Sequence, residues 1–108
     1  MVRVFRNVDS FPKWKELAED NDFKCIYCGC DLLSNEHIYA FSAVEHFIPR
    51  SKGGTEVVIS CGFCNKLKRD RVFGSIEEAR EELKKLREEY LKKYEFKELR
   101  AKYRREKQ

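Results

Sequence analysis

The first part of the chain carries a helical pattern of apolar residues. Trp14, Leu17 and Ala18 recur at helical spacing, and Ser10-Phe11-Pro12 before them supplies a good N-cap and a proline suited to a first turn. These positions predict an amphipathic helix that buries Trp14 and ends at Asp20-Asn21-Asp22.

Extended patterns dominate the middle of the chain. Residues 1–10 alternate enough for a short strand or an arm, and residues 31–39 predict a turn around Ser34-Asn35 between two short extended pieces. Residues 40–44 then predict a strand, and residues 57–60 its returning partner, which together make a hairpin.

Helical patterns return in the last part of the chain. Residues 61 to about 72 predict a short helix ended by Gly74, and Ser75 with Glu78 has the form of a capping box that starts another. The second helix would run over residues 75–105, roughly 45 Å at 1.5 Å per residue. Because this is longer than a domain of this size is wide, part of the helix must project, kink back or pair with a partner. Its apolar stripe comprises Ile76, Ala79, Leu83, Leu86 and Tyr90.

The small size of the chain predicts that its fold needs a stabilising cross-link, either a metal ion or disulfides. It has 108 residues, of which the last third is a charged helix that adds little to a core. Five cysteines without an apolar secretory leader favour a metal over disulfides, and no stretch approaches the ~20 apolar residues of a membrane span. We therefore expect a soluble, cytoplasmic protein with no membrane partner.

Charge is distributed unevenly along the chain. Residues 1–64 carry 7 basic and 9 acidic side chains, whereas residues 65–108 carry 16 basic and 10 acidic ones, a net charge of +6. A basic half predicts a polyanionic partner such as nucleic acid, and the alternative is a solvated helix face.

Two Cys-x-x-Cys pairs predict a metal site. Cys25 and Cys28 are followed after 32 residues by Cys61 and Cys64, and four thiolates suit the tetrahedral preference of structural zinc. Cys30 is left over, either as a substitute for Cys28 or as a bystander thiol. The other isolated residue of this kind is His37, which we interpret as a surface or packing histidine.

Two segments carry a resemblance to a known family. Residues 45–54, EHFIPRSKGG, and residues 61–68, CGFCNKLK, resemble the HNH endonucleases. This resemblance implies the α+β class: a small ββα-metal, treble-clef-like domain stapled by zinc, with an N-terminal helix and a long C-terminal helix. Residues 1–74 would form the nuclease domain, with its core at about 23–73, and residues 75–108 the long charged helix.

The resemblance also implies an activity, the hydrolysis of phosphodiester bonds in DNA by nicking or double-strand cutting. Glu45 and Asn65 would hold a catalytic Mg²⁺ or Mn²⁺, His46 would be the general base, and the paired cysteines would hold a structural Zn²⁺. DNA is the expected partner, and a homodimer through the C-terminal helix stays open. The expected nucleic-acid contacts are Arg50, Lys52, Lys66, Lys68, Arg69 and Arg71.

Several alternatives remain open. Glu56 stands where the family has an asparagine, and it can accept but not donate a hydrogen bond there, so its role is uncertain. A catalytically inactive, zinc-stapled nucleic-acid-binding module is one alternative function, and an interaction protein built on the long helix is another. Glu45 and His46 are adjacent, so they share a site only if the strand twists or ends there. Otherwise Glu45 is exposed and His46 is a buried partner.

Overall fold

The computed structural model describes residues 11–48 and 52–104. This part of the chain contains five helices and one two-stranded antiparallel sheet, which confirms the α+β class. The elements are α1 (Phe11–Asp20), α2 (Glu36–Phe41), β1 (Ala43–His46), β2 (Val57–Ser60), α3 (Gly62–Lys68), α4 (Ile76–Lys93) and α5 (Phe96–Arg104). The strand or arm predicted in residues 1–10 lies outside the described residues. Within the described ranges, no helix has the length and apolar character needed to cross a membrane.

The predicted first helix and the burial of its tryptophan are confirmed. Trp14 and Ala18 on α1 are buried in the core, where the Trp14 ring contacts the rings of Phe23 and Tyr39. The Trp14 indole Nε1–H donates to the Ser42 hydroxyl at 3.0 Å, so its one polar group is satisfied inside the core. Through this bond α1 is tied to the residue just before β1.

The prediction of extended structure over residues 31–39 is wrong, because this segment ends in helix α2. Asn35 caps α2, with its side-chain oxygen accepting from the Ile38 N–H at 2.9 Å. Asparagine favours turns and helix caps for the same reason, its ability to accept from nearby backbone donors, and here the cap prevails. As a result β1 begins at Ala43 rather than at residue 40. His37 is exposed on α2, as expected of a surface histidine.

The predicted hairpin is confirmed, with β1 antiparallel to β2. Opposing pairs are Ala43 with Ser60, Val44 with Ile59, Glu45 with Val58 and His46 with Val57. The connecting turn needs glycine for space, because a Cβ at Gly54 would collide with the backbone carbonyl oxygen of Ile48. The backbone of the turn therefore packs directly against the end of the first strand.

Helix α3 is shorter than predicted. It ends at Lys68, not near residue 72, and Gly74 has no part in ending it. Arg69 adopts a left-handed conformation with φ of 51°, and its N–H donates to the Asn65 carbonyl oxygen at 3.1 Å, which closes the last turn. The chain therefore leaves α3 one residue after Lys68.

The C-terminal segment forms two helices instead of one continuous helix, a kink being among the outcomes that the sequence left open, and its predicted start is confirmed. Ser75 caps α4 by accepting from the Glu78 N–H at 3.1 Å, while the Glu78 carboxylate accepts from the Gly74 N–H. The helix breaks at Glu95, whose φ of 58° is left-handed. Buried Ala79 and Leu83 hold α4 on the core. Its successor α5 exposes about half of each of its large apolar side chains, Phe96, Leu99 and Tyr103.

Candidate metal centre and catalytic site

The first cysteine pair lies on a tight turn closed by backbone hydrogen bonds. Lys24 and Asp31 form an antiparallel bridge, and the Cys25 N–H donates to the Cys30 carbonyl oxygen at 3.0 Å. Gly29 has φ of +77°, a left-handed conformation that glycine adopts without steric cost. The turn is docked onto the hairpin by Ile26, whose N–H donates to a carbonyl oxygen of β2 at 3.1 Å.

The second cysteine pair begins helix α3. Cys61 is the N-cap residue, and its sulfur accepts from the Cys64 N–H at 3.4 Å. The thiol therefore replaces the hydroxyl or carboxylate that usually caps a helix. Because Cys61 directly follows β2, the hairpin, this cysteine pair and α3 form one continuous unit.

The structure brings the two cysteine pairs together into one cluster. The four sulfur atoms all lie within 4.8 Å of one another, and Cys28 Sγ lies 3.8 Å from Cys61 Sγ. Hydrogen bonding with Cys25 and the other clustered thiols holds the pKa of Cys28 well below its usual range and raises the pKa of Cys61 and of Cys64, so Cys28 is the thiolate that the other thiols stabilise. Four convergent sulfurs from two Cys-x-x-Cys turns could hold a metal such as zinc.

Cys30 is not one of the four clustered cysteines. It is half-buried, and burial raises the pKa of its thiol to about 11. The bystander interpretation of Cys30 therefore agrees with its position outside the cluster.

Helix α4 donates two arginine hydrogen bonds to this centre, which the sequence pattern did not reveal. Arg87 Nη1 donates to Cys64 Sγ at 3.3 Å, and Arg80 Nε donates to the Ile26 carbonyl oxygen at 2.8 Å. The two arginines flank Leu83 at helical spacing, and Leu83 is fully buried. The sequence held one signal for these contacts: Arg80 and Arg87 lie three and four positions from Leu83, on the same face of the helix as the apolar stripe.

Glu45 lies in a buried polar cluster. Its Oε2 atom accepts from the Tyr27 hydroxyl at 2.7 Å and lies 3.8 Å from Lys68 Nζ. The Lys68 side chain is 1% exposed and that of Glu45 is 10% exposed. The register places Glu45 on the same face of the hairpin as Ala43 and Ser60, which faces the core.

Burial outweighs the mutual attraction of this ion pair. It raises the pKa of Glu45, against the opposing effects of the Lys68 ammonium and the Tyr27 hydroxyl, and it lowers the pKa of Lys68. The Ser60 hydroxyl also counteracts the rise in the pKa of Glu45, although Ser60 Oγ has no hydrogen-bond partner within the described residues. Both partners are therefore desolvated charges that depend on each other.

His46 is the last residue of β1 and lies on the hairpin face opposite to Glu45. Its side chain is half-buried, and its backbone carbonyl oxygen accepts from Lys68 Nζ at 3.4 Å. The Lys68 ammonium thus contacts the carboxylate of Glu45 and the backbone carbonyl oxygen of His46. Asn65 precedes Lys68 by three residues and therefore lies on the same side of α3.

The donor types at this point suit a divalent ion. Carboxylate and amide oxygens are ligands that Mg²⁺ and Mn²⁺ accept, and Glu45 and Asn65 supply one of each. Tyr27 and Lys68 both contact Oε2 of Glu45, so neither contact uses Oε1. The donor types of Glu45 and Asn65 therefore fit such an ion, and Lys68 places a positive charge beside Glu45.

The predicted nucleic-acid contacts fall into two groups. Lys52, Lys66, Arg69 and Arg71 are exposed, and Lys66 donates to the Tyr90 hydroxyl of α4 at 3.2 Å. Lys68, in contrast, is buried and paired with Glu45, so it does not present its ammonium to an outside phosphate. Arg50 lies outside the described residues.

Glu56 has an exposed side chain, and its backbone carbonyl oxygen accepts from the Phe47 N–H at 3.0 Å. This backbone bond extends the pairing of the hairpin by one residue beyond His46. The turn is therefore tied at this position by the main chain rather than by an asparagine side chain. No protein-family model, curated protein sequence or solved structure matches the chain.

Proposed function

We propose that this protein is a divalent-metal-dependent endonuclease of the HNH type that hydrolyses phosphodiester bonds in DNA. The observation that carries the proposal is the double contact of Lys68, whose Nζ lies 3.8 Å from Glu45 Oε2 and 3.4 Å from the His46 carbonyl oxygen. It joins the carboxylate-histidine end of β1 to the helix that carries Asn65. The order strand, strand, helix with a four-cysteine cluster behind it also supports the proposal.

In this proposal His46 is the general base. A neutral imidazole accepts a proton from water near pH 7, and the resulting hydroxide attacks phosphorus as the bond to the leaving oxygen breaks. The Lys68 contact holds the backbone of His46 at the end of β1, from which the half-buried imidazole would act. Because His46 ends β1 on the face opposite to Glu45, the phosphate would lie at the end of the strand, where it can meet both the imidazole and an ion held by Glu45.

The two metal roles divide between separate residues. Glu45 and Asn65 would hold Mg²⁺ or Mn²⁺, which when bound supplies positive charge for the leaving oxygen. The four clustered cysteines would hold zinc, which joins the first turn to α3 and so fixes Asn65 relative to the hairpin. Exposed Lys52, Lys66, Arg69 and Arg71 would contact the phosphate backbone.

A zinc-stapled, catalytically inactive DNA-binding module is the second candidate. One observation favours it: Glu45 already has a buried counter-ion in Lys68, so its carboxylate carries no unbalanced charge. In that case the exposed cations would bind DNA with a steep dependence on salt but without hydrolysis.

Plasmid nicking separates these two functions, and the two histidines of the chain provide a matched pair of variants. Zinc-loaded protein should nick supercoiled plasmid with Mg²⁺ or Mn²⁺ and fail to do so with EDTA at constant zinc content. His46→Ala should lower the nicking rate by about 10² or more while DNA binding persists, and His37→Ala, on exposed α2, should leave the rate unchanged. Equal rates for His46→Ala and wild type would contradict the proposal. DNA binding without any nicking would favour the inactive module.

A further inference from the structure

The two groups that contact Oε2 of Glu45 differ in charge. Tyr27 is a neutral donor, 2.7 Å away, while Lys68 is an ammonium, 3.8 Å away. Both side chains are almost fully buried, Tyr27 at 4% and Lys68 at 1% exposure. One contact thus orients the carboxylate, and the other both orients and neutralises it.

Lys68 cannot leave this position for solvent without a change in the fold. Its ammonium also donates to the His46 carbonyl oxygen, and it lies 5.7 Å from the centre of the Phe47 ring, so three groups of one strand end surround it. A cation that binds Glu45 therefore meets the charge of Lys68 at short range in a poorly solvated place. Charges interact strongly under those conditions.

We propose that Lys68 is a built-in counter-ion that competes with a divalent cation for Glu45, while Tyr27 is a positioning residue that holds the carboxylate for either. The site then has a low affinity for divalent cations and is filled only when the concentration of Mg²⁺ or Mn²⁺ is high. This inference rests on the proposed role of Glu45 as a ligand, but not on phosphodiester hydrolysis.

The two contacts have effects of opposite sign on ion binding. Loss of the Lys68 charge removes a repulsion, so the ion should bind more tightly. It also makes protonation of Glu45 easier, but a proton carries one charge and the ion two, so the ion gains more. Loss of the Tyr27 hydroxyl removes only an orienting donor, so the ion should bind more weakly.

Mn²⁺ binding to zinc-loaded protein tests this without a substrate. Electron paramagnetic resonance of free Mn²⁺ gives the dissociation constant for Mn²⁺. Zinc content and thermal melting check that each variant is folded. The zinc stays in place during the titration because thiolates prefer zinc to Mn²⁺. Lys68→Met should tighten binding at least tenfold, and Tyr27→Phe should weaken it about tenfold. Lys85→Met, at an exposed lysine of α4, should leave it unchanged, and Glu45→Gln should abolish it.

Each outcome decides the inference. Folded Lys68→Met protein that binds Mn²⁺ no more tightly than wild type would overturn it, as would an unchanged constant for Glu45→Gln. If Lys68→Met fails to fold, Tyr27→Phe and Lys68→Arg replace it: the inference requires weaker binding for the first and wild-type binding for the second. If the variants bind Mn²⁺ as expected but the protein does not nick plasmid, the proposed nuclease is contradicted and this inference stands. If the protein nicks plasmid but the variants do not bind Mn²⁺ as expected, this inference is contradicted and the proposed nuclease stands.

Discussion

Arg87 donates a hydrogen bond from Nη1 to the sulfur of Cys64, with 3.3 Å between the two atoms. Four thiolates around a divalent ion leave an excess of negative charge, and a guanidinium beside one of them offsets part of it. The contact also joins α4 to the cysteine cluster directly, so the helix does more than cover the core with Ala79 and Leu83.

Arg87→Met should therefore weaken metal retention. Methionine keeps an apolar stem of similar length but loses the donor and the charge, so we expect roughly tenfold lower zinc affinity. Competition with a chromophoric chelator measures this. Lys85→Met, on an exposed part of the same helix, is the control. Equal zinc affinity for Arg87→Met and Lys85→Met would show that the Arg87 contact has no effect on the metal.

Removal of the metal should unfold the protein. Four-thiolate zinc sites contribute on the order of 10 kcal/mol to folding, which is comparable with the whole stability of a small domain. Cys64→Ser should lose the zinc and the cooperative thermal transition, while Cys30→Ser should keep both. Elemental analysis and calorimetry measure the two effects. An unchanged melting curve after complete removal of metal would contradict this expectation.

Gly54→Ala should destabilise the hairpin turn. The added Cβ would collide with the Ile48 carbonyl oxygen, and because this is a backbone atom the chain itself must move, at a cost of about 2 kcal/mol. Gly74→Ala is the comparison, since its Cβ would meet only the end of the flexible Glu78 side chain at 2.9 Å. Chemical denaturation gives both values. A smaller loss of stability for Gly54→Ala than for Gly74→Ala would mean that the turn adapts freely.

The sequence predicted those parts of the fold that local patterns determine. The hairpin follows from two short apolar runs around a glycine turn, and the cysteine cluster follows from two equal spacings. The pairing of Glu45 with Tyr27 and Lys68 could not be predicted, because those residues are separated by 18 and 23 positions and no periodicity links them. The break at Glu95 coincides with a shift of the apolar stripe at Tyr94-Glu95-Phe96, but a glutamate, rather than a glycine or asparagine, adopts the left-handed conformation there.

A chain that stops after Tyr94 should keep its fold and bind DNA more weakly. Residues 95–108 carry six basic and three acidic side chains, and α5 has no buried residue. Truncation should leave the melting temperature unchanged and should flatten the dependence of DNA affinity on salt, which fluorescence anisotropy measures. The full-length chain with Lys97, Arg100, Lys102 and Arg104 changed to glutamine separates the charge from the apolar face. An identical salt slope in all three proteins would mean that the charge of α5 only faces solvent.

The two cysteine pairs lie at the two ends of the segment that contains the entire hairpin, from Cys28 to Cys61. In the unfolded chain, bringing these ends together costs an entropy that grows with the logarithm of the segment length. A metal ion held by the first pair can capture the second as it diffuses past, which acts as a reversible cross-link before the strands have paired. The ion then shortens the effective separation of the first cysteine turn from α3 along the chain, so metal supply should govern how fast the protein folds as well as how stable it is.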